Sequence, residues 1–266
     1  MRRLALGTLA LALALAGCGG SGSKSGGGKP ISGDAIVAAA VKSSKAGSVE
    51  ADFKIGGAGI TGSGSGVFNT GESRSGQLTM NVKTAVGEVK IDSIVSGTVL
   101  YMRSPIFSQV GGLPAGKEWV RLDLGQLAQQ RGIDLSSLAN TTPTPASALA
   151  YLRGTSRVEN VGSDTIGGVS TTHYKVTVDL ERAAARLSGS GRRSLQRVIQ
   201  STGTKKLPVD VWVDGDGYVR KVEYSQGSGN GKAVKVTMEL HDFGSPKQIE
   251  APPAASVIDF QKALGG

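Results

Sequence analysis

Cysteine is nearly missing from this chain of 266 residues: one thiol, Cys18, stands against 40 glycines. A single thiol excludes an internal disulfide and a thiolate-rich metal centre. Aromatic residues are scarce too, with two Trp, five Tyr and five Phe, so the core must come from aliphatic side chains. Without clustered aromatics beside basic residues there is no stacking platform for bases, and a nucleic-acid partner is not expected. Apolar runs of membrane length are absent beyond the first seventeen residues. The formal charge of +9 is a modest basic excess, which suits anionic head groups or wall polymers, or a plain solvated surface.

What is present begins at the N-terminus. Arg2 and Arg3 precede an Ala/Leu stretch over 4–16 broken once by Gly7, the pattern of a secretory signal. At ~1.5 Å per helical residue the run reaches roughly 20 Å, short of the ~30 Å hydrocarbon core. Leu15, Ala16 and Gly17 before Cys18 resemble a bacterial lipobox, in which the cysteine sulfur takes a diacylglycerol and becomes the first residue after cleavage. The expectation is a signal peptide over 1–17 and lipid attachment at Cys18. An ordinary secretory signal with a chance cysteine is the alternative. Residues 18–30, with GGSGSKSGGGK at 19–29, read as a flexible tether.

Residues 31–266 read as one folded unit. A helix is expected over 32–46, with Ser32 as N-cap, Asp34 in the first turn, Ile36, Ala39 and Ala40 on one face, and Gly47 as its stop. The pattern then changes to period two. Val49, Ala51, Phe53 and Ile55 alternate with Glu50, Asp52 and Lys54, and similar alternation recurs near 78–82, 89–91, 174–178, 209–213 and 234–240. Short helices are expected at 124–130 and 146–153 around a Thr/Pro loop, and a basic helical pair at 180–187 and 194–200. The result is an α+β domain with an antiparallel meander of about nine to eleven strands.

The segment at 59–68 places Ile60, Gly62, Gly64, Gly66 and Phe68 on one strand face. Glycine inside a strand marks a bulge, a bend or close approach of a ligand or another backbone. Here it leaves a groove for an alkyl chain or for a packed helix. Phe53, Ile55, Leu78, Met80 and Val82 would share that face, and Gly64→Leu is expected to fill the groove with little loss of stability.

Catalytic and cofactor signals fail. The glycines at 57–62 match a dinucleotide loop in spacing but lead into alternating Gly/Ser instead of a helix. Asp214, Gly215, Asp216 and Gly217 lack the other ligands of a calcium loop and suit a hairpin turn. The run at 227–232 makes another turn. His173 and His241 stand in strands with no motif spacing, and two histidines offer too few ligands for zinc. No enzyme, cofactor or metal is expected.

Several phrases together resemble the actinobacterial LppX/LprA/LprF/LprG lipoproteins, whose fold is similar to the LolA and LolB carriers. They are YMRSP at 101–105, LPAGKEWVRLD at 113–123, THYKVTVD at 172–179, LPVDVWVDGDG at 207–217 and DFGSP at 242–246. The resemblance implies a strongly curved half-barrel with helices on its concave side enclosing an apolar cavity. It implies a lipoprotein on the extracytoplasmic face of the cell membrane that binds acylated lipids or glycolipids and carries them outward. A membrane transporter is a further candidate partner. Arg182, Arg186, Arg192, Arg193 and Arg197 are candidates for a head-group rim. The alternative reading is a structural or signalling lipoprotein whose sheet binds a protein.

Overall fold

A computed structural model describes residues 32–70, 75–85, 87–107, 112–126, 144–227 and 233–260. The signal, the tether and Cys18 lie outside the described residues, as do positions 127–143, which include most of the helix expected at 124–130 and most of the Thr/Pro loop, and 228–232.

Twelve strands form one curved, unclosed sheet. The first meander runs through β1 (Ser48–Gly57), β2 (Ile60–Asn69), β3 (Ser75–Thr84), β4 (Gly87–Ser96), β5 (Val99–Arg103) and β6 (Trp119–Asp123). The chain then crosses to the other edge and returns through β7 (Thr155–Ile166), β8 (Val169–Asp179), β9 (Lys206–Asp214), β10 (Val219–Gly227) and β11 (Ala233–Gly244). Antiparallel pairing of β11 with β1 joins the two meanders. Last, β12 (Val257–Asp259) lies parallel to β6, where Arg121 reaches both Asp123 at 2.8 Å and Asp259 at 3.1 Å.

The order along the sheet is β12-β6-β5-β4-β3-β2-β1-β11-β10-β9-β8-β7. The edge strand β7 is exposed along most of its length and carries two register shifts, between Thr155 and Arg157 and between Asn160 and Gly162.

Among the described residues, four helices cover part of one face. Helix α1 (Gly33–Ser43) has Ser32 as N-cap, its hydroxyl accepting from the Ala35 amide, and it buries Ile36, Ala39 and Ala40 as the spacing requires. Helix α2 (Pro145–Leu152) opens on a reciprocal pair, with Thr144 and Ser147 each accepting from the other's amide. The basic pair becomes α3 (Leu180–Ala185), capped by Asp179, and α4 (Gly189–Thr202), which is longer than expected. Gly203 ends α4 in the left-handed conformation that its missing side chain permits (φ 67°).

These helices pack on β7, β8 and β10 and on one another. Beneath them lies the core: Val178, Val211, Val222, Met238 and Leu240 from the sheet, with Ile36, Leu149 and Leu152 from the helices. Tyr151 and Tyr224 meet edge-on at 5.9 Å, and burial pushes both phenols above the usual range.

Candidate functional site

Strand registers align the inward residues into rows. Phe53 sits opposite Gly64 on β2 and Met238 on β11, and Gly64 sits opposite Met80 on β3. Likewise Ile55 faces Gly62, which faces Val82 and then Val89. Phe53, Ile55, Ile60, Gly62, Gly64, Gly66, Phe68, Leu78, Met80 and Val82 therefore do share the face that bears the helices. The glycine positions are filled from the side. The Met80 thioether lies over Gly64, the Ile55 chain over Gly62, and the Phe68 ring over Gly66 and Gly76. Phe68 also meets Phe53 edge-on at 5.9 Å.

This overturns the expectation that leucine fits at position 64. A Cβ there collides with the Thr79 carbonyl oxygen and the Met80 sulfur and stands 2.9 Å from Met80 Cα. Glycine is required by close approach of the β3 backbone.

Burial divides the face in two. Phe53, Leu78 and Met80 are buried, whereas Ile55, Gly62, Gly64, Gly66, Phe68 and Val82 are half-buried and Ile60 is 36% exposed. The row continues through half-buried Val89, Ile91 and Val95 on β4, Leu100 and Met102 on β5 and Leu122 on β6. Sequence reasoning did not assign those six to the site. Their alternation with Lys90, Asp92, Tyr101 and Arg121 was the available signal. So the β2–β6 half presents a broad apolar surface that the described helices leave half-exposed.

The opposite face is polar. There Arg103 spans Asp92 at 3.0 Å and Glu118 at 3.2 Å and lies over the Trp119 ring at 4.8 Å. Burial works to raise the Asp92 carboxyl, but the Thr79 hydroxyl and the Arg103 and Lys90 charges outweigh it and hold the group below the usual range. A hollow of about 510 Å³ on this face is bordered by Asp52, Thr79, Asp92, Arg103, Trp119 and His241. A second hollow, about 590 Å³, lies at α3 and α4 beside Glu181, Ala184, Arg192, Gln196 and Ile199.

The two histidines sit in separate polar networks on this outer face. His173 stacks on Trp212 with ring centres 4.1 Å apart, and its Nε2 lies 2.6 Å from Asp210 Oδ1. Trp212 Nε1 donates to Asp164 Oδ2 at 2.8 Å. His241 lies between Asp52 at 3.2 Å and Asp242 at 3.1 Å. Its partial burial opposes protonation, yet the two carboxylates prevail and raise its pKa.

Among the described residues one group, Glu50, His241 and Asp242, brings potential metal ligand atoms within 4.8 Å of one another. Pairing of β1 with β11 creates it, so sequence spacing gave no sign of it. Glu50 is engaged by Lys247, and the two imidazole nitrogens of His241 face Asp52 and Asp242.

The arginine rim is partly taken up by the fold. Arg192 donates through Nε to the Ala184 and Leu187 carbonyls at 3.2 and 3.0 Å and through Nη2 to Ala185 at 3.2 Å, closing the C-terminus of α3. Arg186 donates to the Arg153 carbonyl at 2.8 Å, at the end of α2. Arg182 is exposed beside Asp179, and Arg193 and Arg197 lie on α4.

No family model matches the chain. It is 27% identical over 213 residues to a 31.2 kDa protein of Streptomyces griseus encoded between rplA and rplJ, covering 75% of this chain and 69% of that one. A Streptomyces coelicolor protein whose name calls it a lipoprotein is 28% identical over 153 residues, or 56% of this chain and 45% of the other. The crystal structure of LppX from Mycobacterium tuberculosis superposes with a TM-score of 0.49 at 16% identity, over 82% of this chain and all of that one. LprF from Mycobacterium bovis gives 0.51 at 16% identity, over 85% of this chain and 99% of that one. The LprF match carries the conclusion: the chain shares the fold of the LppX/LprF lipoproteins, the group its sequence phrases resemble.

Proposed function

We propose that this chain is a membrane-anchored lipoprotein that binds acylated lipids or glycolipids on the apolar face of strands β2–β6 and carries them outward from the plasma membrane without catalysis. The observation that carries the reading is the half-exposed row from Ile55 and Phe68 through Val82, Val89 and Ile91 to Leu100 and Met102. Soluble folds seldom leave so wide an apolar surface without an occupant. Removal of 1–17, acylation of Cys18 and a tether over 18–30 would hold this domain on the extracytoplasmic face. The lipoprotein name of the Streptomyces coelicolor relative and the LprF-like fold support that placement.

The energetics suit a carrier. Each buried CH2 contributes ~0.8 kcal/mol, so a chain of about 16 carbons gains roughly 12 kcal/mol on leaving water, about what a bilayer offers. Exchange between bilayer and protein then needs a fitting surface and a route, not a chemical step. Native mass spectrometry of the protein from an actinobacterial membrane host, followed by organic extraction, tests the reading. A co-purifying acylated lipid is expected, and Val82→Glu should lower its occupancy while the fold persists. Lipid-free protein that also takes up no lipid from vesicles overturns it and leaves a protein-binding sheet as the better account.

A further inference from the structure

The strand registers give the sheet two rims of different character. One is formed by the β1–β2 turn, the β3–β4 turn, the ends of β8 and β10, and the starts of β7, β9 and β11: Gly57 pairs with Ile60, Thr84 with Gly87, Gly227 with Ala233, and Asp179 with Lys206. On it stand Lys54, Lys83, Arg157, Lys205, Lys206 and Lys235, all exposed. The acids on this rim are Asp34, Glu88, Asp179 and Glu181, with Glu159, Asp210 and Glu223 level with Lys54; Asp179 caps α3, Glu181 is paired with Lys205, Glu223 with Lys235 at 2.6 Å, and Asp210 lies against His173. On the opposite rim Lys42, Lys45 and Arg220 stand among Asp164, Asp214, Asp216 and Asp242.

Two further observations fall on the basic rim. Ile60, 36% exposed, is one of three exposed large apolar side chains among the described residues and pairs with Gly57 at the β1–β2 turn. Helix α1 also begins here, because a Cβ on Gly33 would lie 3.5 Å from the Thr155 carbonyl, while Ser43 at its other end accepts from the Val219 amide at the acidic rim. The described chain therefore begins, at Ser32, on the basic rim.

We infer that this rim is a docking surface for an anionic bilayer, with Ile60 entering the head-group layer and the lysines lying over acidic lipids. The inference rests on the anchor proposed at Cys18, which delivers this end of the domain to the membrane. Lysine beside exposed isoleucine suits the interface, where an apolar tip is buried and the ammonium groups meet phosphate. Near an anionic leaflet each such lysine strengthens attraction about fivefold. Docking would hold the apolar face of β2–β6 at a fixed height above the membrane from which its ligand comes.

The test uses the full acylated chain in phosphatidylcholine vesicles with and without phosphatidylglycerol. Acylation consumes the Cys18 thiol, so Ile60→Cys and Asp216→Cys each offer one site for an environment-sensitive dye, on the basic and acidic rims respectively. A blue shift is expected at position 60 only, only with phosphatidylglycerol, and reversed by high salt or by Lys54→Glu, Lys83→Glu and Lys206→Glu together. Should that triple variant unfold, the salt arm alone decides. Equal emission from both positions, or indifference to phosphatidylglycerol, overturns docking while leaving the anchor in place. Dye uptake by the unsubstituted chain shows a free Cys18 and removes the anchor on which the inference stands.

Discussion

Met80 and Gly64 face each other across β2 and β3, and the thioether of one occupies the space above the α-carbon of the other. A methyl group at position 64 meets both that sulfur and the Thr79 carbonyl, and the carbonyl is backbone and cannot turn aside. Gly64→Ala is expected to destabilise the fold by about 2–3 kcal/mol, and adding Met80→Ala should restore only part of the loss. Gly56→Ala, with nothing within 4 Å of the new atom, serves as the tolerated control. Urea midpoints decide, and full rescue by Met80→Ala would show that the β3 backbone is not the obstacle.

Arg192 closes the end of α3 through three carbonyls. Arg192→Gln should cost about 1 kcal/mol of stability through the lost cap. Its anionic-vesicle binding should match that of the parent chain, since the guanidinium is committed within the protein. A selective loss of vesicle binding at unchanged stability would return this residue to the head-group role its sequence position invites.

His241 makes stability depend on pH in a defined direction. Its folded pKa is raised, so the protonated ring adds stability that is complete below the ordinary value of about 6.5 and is lost as pH rises through the raised value. The ring is 41% exposed, so solvent screening limits the effect to a few tenths of a kcal/mol. Urea titrations from about pH 6 to about pH 8 should show the parent losing that increment and His241→Gln showing no such slope. An equal slope in both proteins would assign the effect elsewhere.

His173 roofs Trp212, which is only 6% exposed, with Lys221 over the same indole at 4.5 Å. Truncation to His173→Ala should admit water, shift tryptophan emission to the red and cost about 1 kcal/mol. Trp119, shielded separately by Arg103, supplies the constant part of the spectrum. An unshifted spectrum would mean that Lys221 and Asp164 shield the ring without the imidazole.

Legibility in the sequence followed local periodicity. Helix α1 was readable to its cap, and β1 and β11 to their faces, because Ile36, Phe53 and Met238 each fall in an unbroken pattern. Strand β7 was not: as an exposed edge it has no buried face to impose alternation, and TSRVENVGSDTI carries no period that assigns it. The three residues of β12 are too few to show a period, and they bring the count to twelve instead of nine to eleven. At the candidate site the glycine stripe announced itself, but what lies over it comes from Ile55, Phe68 and Met80, placed by a register that a sequence does not print. The Glu50, His241 and Asp242 group arises the same way, from residues brought together across β1 and β11.

The irregular β7 edge has one more consequence. An open sheet offers its outermost backbone to any passing strand. The two register shifts along β7 interrupt the regular ladder that a second strand would need. A second strand arriving at that edge finds no unbroken run of amides and carbonyls to pair with.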